Sequence, residues 1–460
     1  MQEIFQFKKS FLVNADKKAH DLQHKKVINF NIDRYNTAVK NGKLQYDDLE
    51  KARKHAKNLK WSAIENLEKH LETFEKKITQ QGAKVLWAEN SDAVCDLILE
   101  ICEAKKTTTV VKSKSMVTEE IHLNDFLQKH RIESVETDLG EYIQQLDGEP
   151  PYHIVTPAMH KSKEVIADLF HRKLGVAPHL TPSELTLVAR EKLRAKYAEA
   201  QVGITGANFI VADVGGICVT ENEGNGRLST ALPKTHIVVV GIEKVIPSMD
   251  DLALFWPLLA TYGTGQKLTV YNTLFTGPRK QGENDGPEEM YVILLDNGRT
   301  NLLRKEVRES MYCIRCGSCL NACPVYKNIG GHTYDTTYSG PIGSVITPHL
   351  KGMKDFGHLS FASSLCGNCT EVCPVKINIH EMLLENRKIY NKEGYQKLSE
   401  KLGWKLFKSS MMHRSLLNIP NSNMKNFVFN KFFSPAWGNR RDTIEFPKKT
   451  FSQMWDKDVK

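Results

Sequence analysis

Cys313-Ile314-Arg315-Cys316-Gly317-Ser318-Cys319-Leu320-Asn321-Ala322-Cys323-Pro324 is the stretch on which the reading of this chain turns. Its spacing, C-x2-C-x2-C-x3-C-P, is that of a loop that ligates a cubane iron–sulfur cluster. Three thiolates in a tight loop each reach one corner of a cluster. The fourth, carried off on the following helical turn, points to a second cluster, and the proline sets the exit of the chain.

A second, shorter run follows: Cys366-Gly367-Asn368-Cys369-Thr370-Glu371-Val372-Cys373-Pro374. Cys366, Cys369 and Cys373-Pro374 align with Cys316, Cys319 and Cys323-Pro324, and the partner of Cys313 is Ser363. This is the only internal repeat in the chain. The crossed ligation of two-cluster ferredoxins assigns Cys313, Cys316, Cys319 and Cys373 to cluster 1, and Cys323, Cys366 and Cys369 to cluster 2. Cluster 2 is therefore one cysteine short. It is either a [4Fe–4S] centre with a non-cysteine or solvent ligand, with Ser363 oxygen a poor match for a soft site, or a [3Fe–4S] centre. A structural zinc site takes four ligands in paired C-x2-C form and fits seven cysteines poorly. Gly330, Gly331, Gly340 and Pro341 lie between the motifs and require a loop folded over the clusters, within a helical ferredoxin-type domain. Arg315, Lys327 and Lys376 flank ligands; each is read as solvent-exposed, although positive charge there favours reduced clusters. His332, His349, His358 and His380 are read as packing or surface residues.

The rest of the sequence sets the frame. At 460 residues the chain exceeds one ordinary core. Its 41% hydrophobic and 25% charged content is that of a globular protein. No apolar run approaches the ~20 residues that span a bilayer, and the start, MQEIFQFKKSFLVNADKK, lacks a secretory apolar core. A cytoplasmic protein is expected, with membrane association open. The remaining cysteines, Cys95, Cys102 and Cys218, sit in apolar stretches as buried small hydrophobes. Of the net charge of +9, +8 falls in residues 401–460, which hold twelve Lys/Arg and four Asp/Glu. The near-neutral body argues against nucleic-acid binding. The basic end suits an acidic partner, an anionic membrane surface with a quinone-linked acceptor, or plain solvent.

Four segments are expected. In 1–82, Trp61, Ile64, Leu67, Leu71, Phe74 and Ile78 recur at helical spacing on one face, with Gly82 as C-cap. In 83–300, β-branched runs alternate with helices such as Asp92–Ala104 and Ser162–His171. Candidate strands are Lys84–Ala88, Thr107–Val111, Ile132–Glu136, His153–Thr156, Asn208–Ala212, Ile217–Thr220, His236–Val240, Leu268–Tyr271 and Tyr291–Leu295. This predicts an α/β domain with a mainly parallel sheet. Residues 301–390 form the iron–sulfur domain. In 391–460, helical spacing persists to 408 and then gives way to an irregular region broken at Pro420, Pro435 and Pro447.

There is no G-x-G-x-x-G after a strand, no phosphate-binding G-x-x-x-x-G-K-[ST], no G-x-S-x-G and no HExxH. Nothing marks a site for hydride chemistry. Gly203–Arg227, rich in glycine and carboxylates, reads as turn chemistry in preference to a ligand crevice.

These residues together resemble the lactate utilization protein B family of bacterial iron–sulfur proteins. The likeness covers the Gly203–Arg227 stretch, Ile246-Pro247-Ser248-Met249-Asp250, Thr261–Gln266, Asn272–Arg279, both cysteine motifs, Tyr338–Gly343, and Phe446–Phe451 with Trp455. The resemblance implies an α/β LUD domain, similar in fold to the NagB/RpiA/CoA-transferase group. It implies two [4Fe–4S] clusters on the same seven cysteines. It implies partnership with lactate utilization proteins A and C in oxidising L-lactate to pyruvate for growth on lactate, with this chain as the electron transporter. The alternative is a self-sufficient iron–sulfur oxidoreductase that binds a small 2-hydroxy acid in its LUD-like domain.

Overall fold

The computed structural model describes residues 6–304, 306–396, 398–413, 421–433 and 442–458. The chain forms two compact units, Met1–Ile389 and Tyr390–Lys460.

The first unit opens with four helices, Gln6–Ala19, Leu22–Gly42, Leu49–Glu65 and Leu67–Gln80. Asp21 and Asp48 cap the second and third by accepting from the backbone N–H of His24 and Lys51. The stripe expected on one helix is thus divided between two. Asn66, at φ −114° and ψ 34°, leaves the helical region and breaks it. Ile64, Leu71, Phe74 and Ile78 are buried, whereas Trp61 is 53% exposed. The last helix is C-capped by Gln81, one residue before the expected Gly82, whose φ is +99°.

Ten strands follow among the described residues: β1 (Lys84–Ala88), β2 (Thr109–Lys112), β3 (Glu133–Glu136), β4 (Val202–Thr205), β5 (Phe209–Val211), β6 (Gly216–Glu221), β7 (Thr235–Gly241), β8 (Val245–Ile246), β9 (Tyr271–Phe275) and β10 (Glu289–Leu295). Six make one sheet in the order β1-β10-β7-β4-β2-β3, with every pairing parallel. Central β7 is buried at all seven positions, as a strand covered on both faces must be. A second sheet, β8-β5-β6-β9, is antiparallel apart from its β5–β8 pair. The expected α/β domain with a mainly parallel sheet is therefore present.

Three local expectations give way. His153–Thr156 is not a strand. The His153 ring Nδ1 accepts from the backbone N–H of Val155 and Thr156 (3.1 and 3.2 Å), folding the segment into turns. The strand placed at Leu268–Tyr271 begins only at Tyr271, because Asn272 Nδ2 donates back to the Thr269 carbonyl (3.0 Å) and holds the preceding residues in a turn. Central β4 escaped notice because it is four residues long and contains Gly203. That glycine is required, since a Cβ there would lie 1.7 Å from the Ser229 carbonyl oxygen.

The cysteine region is helical, with short helices such as Ser318–Ala322, Pro324–Ile329, Gly340–Leu350 and Ile379–Lys392. Its core is continuous with that of the N-terminal helices and the second sheet. The second unit holds Leu398–Met412, Ser422–Val428 and Phe451–Asp458. Pro420 and Pro435 lie outside the described residues, while Pro447 lies in an irregular stretch. Among the described residues no helix is long and apolar enough to cross a membrane.

Candidate iron–sulfur centre and adjoining cavity

The two cysteine motifs share one backbone conformation. Arg315 and Gly317, flanking Cys316, have φ of +60° and +79°; Leu365 and Gly367, flanking Cys366, have +55° and +81°. Each motif then enters a short helix, Ser318–Ala322 or Asn368–Glu371, and leaves it near Cys-Pro. Left-handed residues on both sides of a cysteine curl the backbone around a common centre and direct N–H groups inward. Three N–H···S contacts result: from Arg315 to Cys313 (3.4 Å), from Tyr326 to Cys323 (3.5 Å) and from Ile377 to Cys373 (3.4 Å). Hydrogen bonds of this kind favour the thiolate form and tune a cluster held on it.

Cys316, Cys319, Cys323, Cys369 and Cys373 are buried, Cys313 is half-buried and Cys366 exposed. Burial pushes the thiols of Cys316 and Cys369 up to about 11 and that of Cys373 to about 12. Repulsion between sulfurs adds to this and reveals which are neighbours. Cys319 is pushed up by Cys313, Cys316 and Cys373, and Cys373 by Cys316 and Cys313. Cys369 is pushed up by Cys323 and Cys366, and Cys323 by Cys366. The strongest proximities thus divide four and three across the motifs. A weaker effect of Cys369 on Cys319 puts the two groups side by side.

The donor set fits clusters better than single ions. Sulfurs around one tetrahedral zinc stand about 3.8 Å apart, from a Zn–S bond of ~2.3 Å. Among the described residues only Glu149, His160 and His332 gather three ligand atoms within 4.8 Å, and no set of three cysteines does. Soft donors spaced more widely than one ion needs suit a polynuclear group. Ser363 directs its hydroxyl to the Leu365 N–H (3.1 Å), so the oxygen aligned with Cys313 serves a turn.

N-terminal helices brace the second motif. Arg53 donates to the Cys373 carbonyl from Nε (3.2 Å) and Nη2 (2.9 Å), and Lys57 to that of Lys376 (3.2 Å). Nothing in the sequence links residues 320 positions apart, and sequence reasoning missed them. Arg315 is not the solvent-exposed residue expected. It lies over the Tyr338 ring (4.5 Å) and meets Glu243 (3.4 Å), and only 12% of its side chain is exposed. Lys376 stays near the surface, paired with Glu50 (2.7 Å).

A cavity of about 510 Å³ adjoins the cysteines. It is lined by residues just past the carboxyl ends of parallel strands: Ser113 to Ser115 after β2, Asp138 after β3, Gly206 to Asn208 after β4, and Lys244 after β7. Arg315, Cys316 and Tyr338 line it as well. Glu221 and Glu223 also line it. Glu221 accepts from the N–H groups of Gly226 (2.6 Å) and Arg227 (2.9 Å), so the turn chemistry expected in Gly203–Arg227 is present, and the same segment forms a crevice.

The histidines near the motifs pack. His349 Nε2 lies 2.8 Å from Asn386 Oδ1, and His380 Nδ1 lies 2.7 Å from Thr370 Oγ1. His332 Nε2 meets the Pro150 carbonyl (2.8 Å) beside His160 and Glu149. Lys161 already neutralises that glutamate (2.9 Å), which makes the group a polar clamp between loops. Cys95, Cys102 and Cys218 are all buried, as expected.

Two families of known proteins match parts of the chain. Residues 71–295 match the LUD domain family and residues 309–377 the 4Fe-4S dicluster domain family. The chain is similar to lactate utilization protein B of Bacillus velezensis, with 47% identity over 357 residues, 77% of this chain and 75% of that protein. Against the protein of the same name from Geobacillus thermodenitrificans the identity is 47% over 369 residues, 80% of this chain and 78% of the other. Against that of Bacillus subtilis it is 46% over 360 residues, 78% and 75%.

Proposed function

The chain belongs to the lactate utilization protein B family, and from that membership we propose that it is the iron–sulfur electron-transfer subunit of an L-lactate-oxidising system. Cys313, Cys316, Cys319 and Cys373 hold cluster 1 in this reading; Cys323, Cys366 and Cys369 hold cluster 2. The observation that carries it is the four-and-three neighbourhood of sulfurs across two motifs of like backbone. When bound, such clusters store and pass single electrons. The residues of the chain supply the rest. Thiolates bind, inward N–H groups favour the charged sulfurs, and Arg315 offsets their negative charge on one side. Burial keeps water from most of the sulfurs while the exposed Cys366 leaves cluster 2 nearest to solvent, where a redox partner reaches it.

Anaerobic purification with iron and sulfide counts tests this reading, together with EPR after dithionite. About eight iron atoms per chain with a reduced-cluster signal is the expected result, and about seven identifies cluster 2 as [3Fe–4S]. A colourless chain containing stoichiometric zinc contradicts it.

The proposed partners are lactate utilization proteins A and C. The basic region 401–460 is proposed to dock a partner or membrane by charge; Arg414, Arg440, Arg441 and Lys460 in it lie outside the described residues. Binding to the partner proteins should weaken as salt rises from low to ~0.15 M, since the screening length then falls to ~8 Å. Affinity unchanged over that range would remove charge as the basis of docking.

A further inference from the structure

We propose that the cavity at the carboxyl edge of the parallel sheet is a binding site for a small organic carboxylate, whose anionic head is received by Lys244 and Arg315.

Three independent observations place it there. The first is topology. Ligands of open parallel sheets bind beyond the carboxyl ends of the strands, and the turns after β2, β3, β4 and β7 all line this cavity. The second is unused donors. Lys244 is 7% exposed, and among the described residues its ammonium has no hydrogen-bond or ion-pair partner. Arg315 Nη1 is buried without a partner as well. Both residues line the cavity. Buried N–H donors left unpaired are destabilising, and two neighbouring cationic side chains that line one cavity define where a carboxylate binds.

The third is what the neighbours leave undone. Glu243 meets Arg315 only through Nη2, at 3.4 Å, and gives its other oxygen to Arg299 (2.7 Å). The cysteine sulfurs lend negative charge from behind but accept hydrogen bonds weakly. The lining also carries Asp138, Glu221 and Glu223, grouped with Lys114, which lies 3.2 Å from Asp138. An anion is repelled by those carboxylates and drawn to Lys244 and Arg315, so the site has a direction. A carboxylate held there lies against Cys316. The inference rests on the reading of Cys316 as a cluster ligand for its place in electron transfer, and on the cavity alone for binding.

The test is titration calorimetry on full-length, anaerobically purified protein with L-lactate and pyruvate, and with lactamide as a neutral analogue. Either carboxylate should bind saturably in the millimolar range or tighter, and lactamide should not. Lys244→Gln should weaken binding by at least about tenfold, the worth of a charge-assisted hydrogen bond, while Lys244→Arg retains most of it. Visible absorbance per chain and melting temperature, compared with the parent, show that each variant is folded and loaded. Carboxylate binding should also shift the EPR signal of the reduced protein. The assignment is overturned if neither carboxylate binds, if lactamide binds as tightly, or if folded Lys244→Gln binds as well as the parent. A chain with full iron that binds no carboxylate defeats this inference alone. A chain that binds carboxylate but never holds iron defeats the cluster reading alone.

Discussion

Replacing Cys373 by serine is expected to abolish cluster 1, although that residue lies in the second motif, beyond three cysteines that belong to the other group. If each motif served its own cluster, the loss would fall on the group of Cys366 and Cys369 instead. Cys373 is 6% exposed, and its thiol is pushed up by burial and then by Cys316 and Cys313. Its carbonyl is fixed by two bonds from Arg53, so the residue cannot swing to another position without breaking them. A serine hydroxyl is a harder, poorer ligand than a thiolate and sits in a site shaped for sulfur. The iron content should fall by about four atoms per chain, and the EPR signal that survives should be that of cluster 2. Cys323→Ser should do the reverse, although it lies in the first motif. Cys102→Ser, buried but far from both motifs in sequence, controls for the general effect of removing a buried thiol. Cys373→Ser protein that keeps cluster 1 spectra and loses cluster 2 would refute the crossed assignment.

The iron–sulfur domain was legible because its signal is local: seven cysteines at fixed spacing, with a repeat that aligns residue by residue. The class of the α/β domain was legible for a similar reason. Runs such as Ile237–Val240 and Val292–Leu295, within the expected strands His236–Val240 and Tyr291–Leu295, are apolar throughout, as strands covered on both faces must be. What could not be read is what depends on chain closure. Val202–Thr205 is too short and too glycine-bearing to announce a central strand, and only its pairing with β2 and β7 makes it one. Thr181-Pro182-Ser183-Glu184 is a capping box that opens the helix Pro182–Glu199, a local signal that was present and overlooked. His153–Thr156 misled because β-branched residues suit strands, and a histidine ring accepting two backbone bonds overrides that preference. The cavity could not be foreseen at all. Lys244 and Arg315 are ordinary charged residues in sequence, and only the fold brings the unpaired Lys244 ammonium and Arg315 Nη1 to one cavity.

The same fold buries an ionic network that holds the α/β domain to the cysteine region, and its centre yields the largest expected effect on stability. Arg299 is 1% exposed. Its Nε donates to Glu243 (2.7 Å), while Nη1 and Nη2 donate to the two oxygens of Glu120 (3.0 and 2.8 Å). Tyr338, from the segment between the motifs, donates to the same Glu120 (2.6 Å), and Arg315 meets the other oxygen of Glu243. Arg299→Met keeps an apolar stem and removes the charge, leaving two carboxylates buried with too few partners. Breaking a buried pair in this way costs ~3–5 kcal/mol. The deficit should depend on pH with a definite sign. Burial by itself would raise the Glu243 carboxyl, but Arg299 and then Arg315 hold it down to about 2. A folded value below the unfolded 4.5 stabilises the parent above pH 4.5, and that stabilisation fades as pH falls toward 2. Without Arg299, burial prevails, and the carboxyls resist ionising in the folded state. The variant's disadvantage, measured by urea unfolding, should therefore be greatest near neutrality and shrink steadily as pH falls through the raised carboxyl value and on toward 2. Adding Glu120→Met to Arg299→Met should recover part of the loss, because it removes one stranded charge. A deficit that stays constant from pH 7 to 4 would show that Arg299 acts through packing, and that the network does not join the two regions by charge.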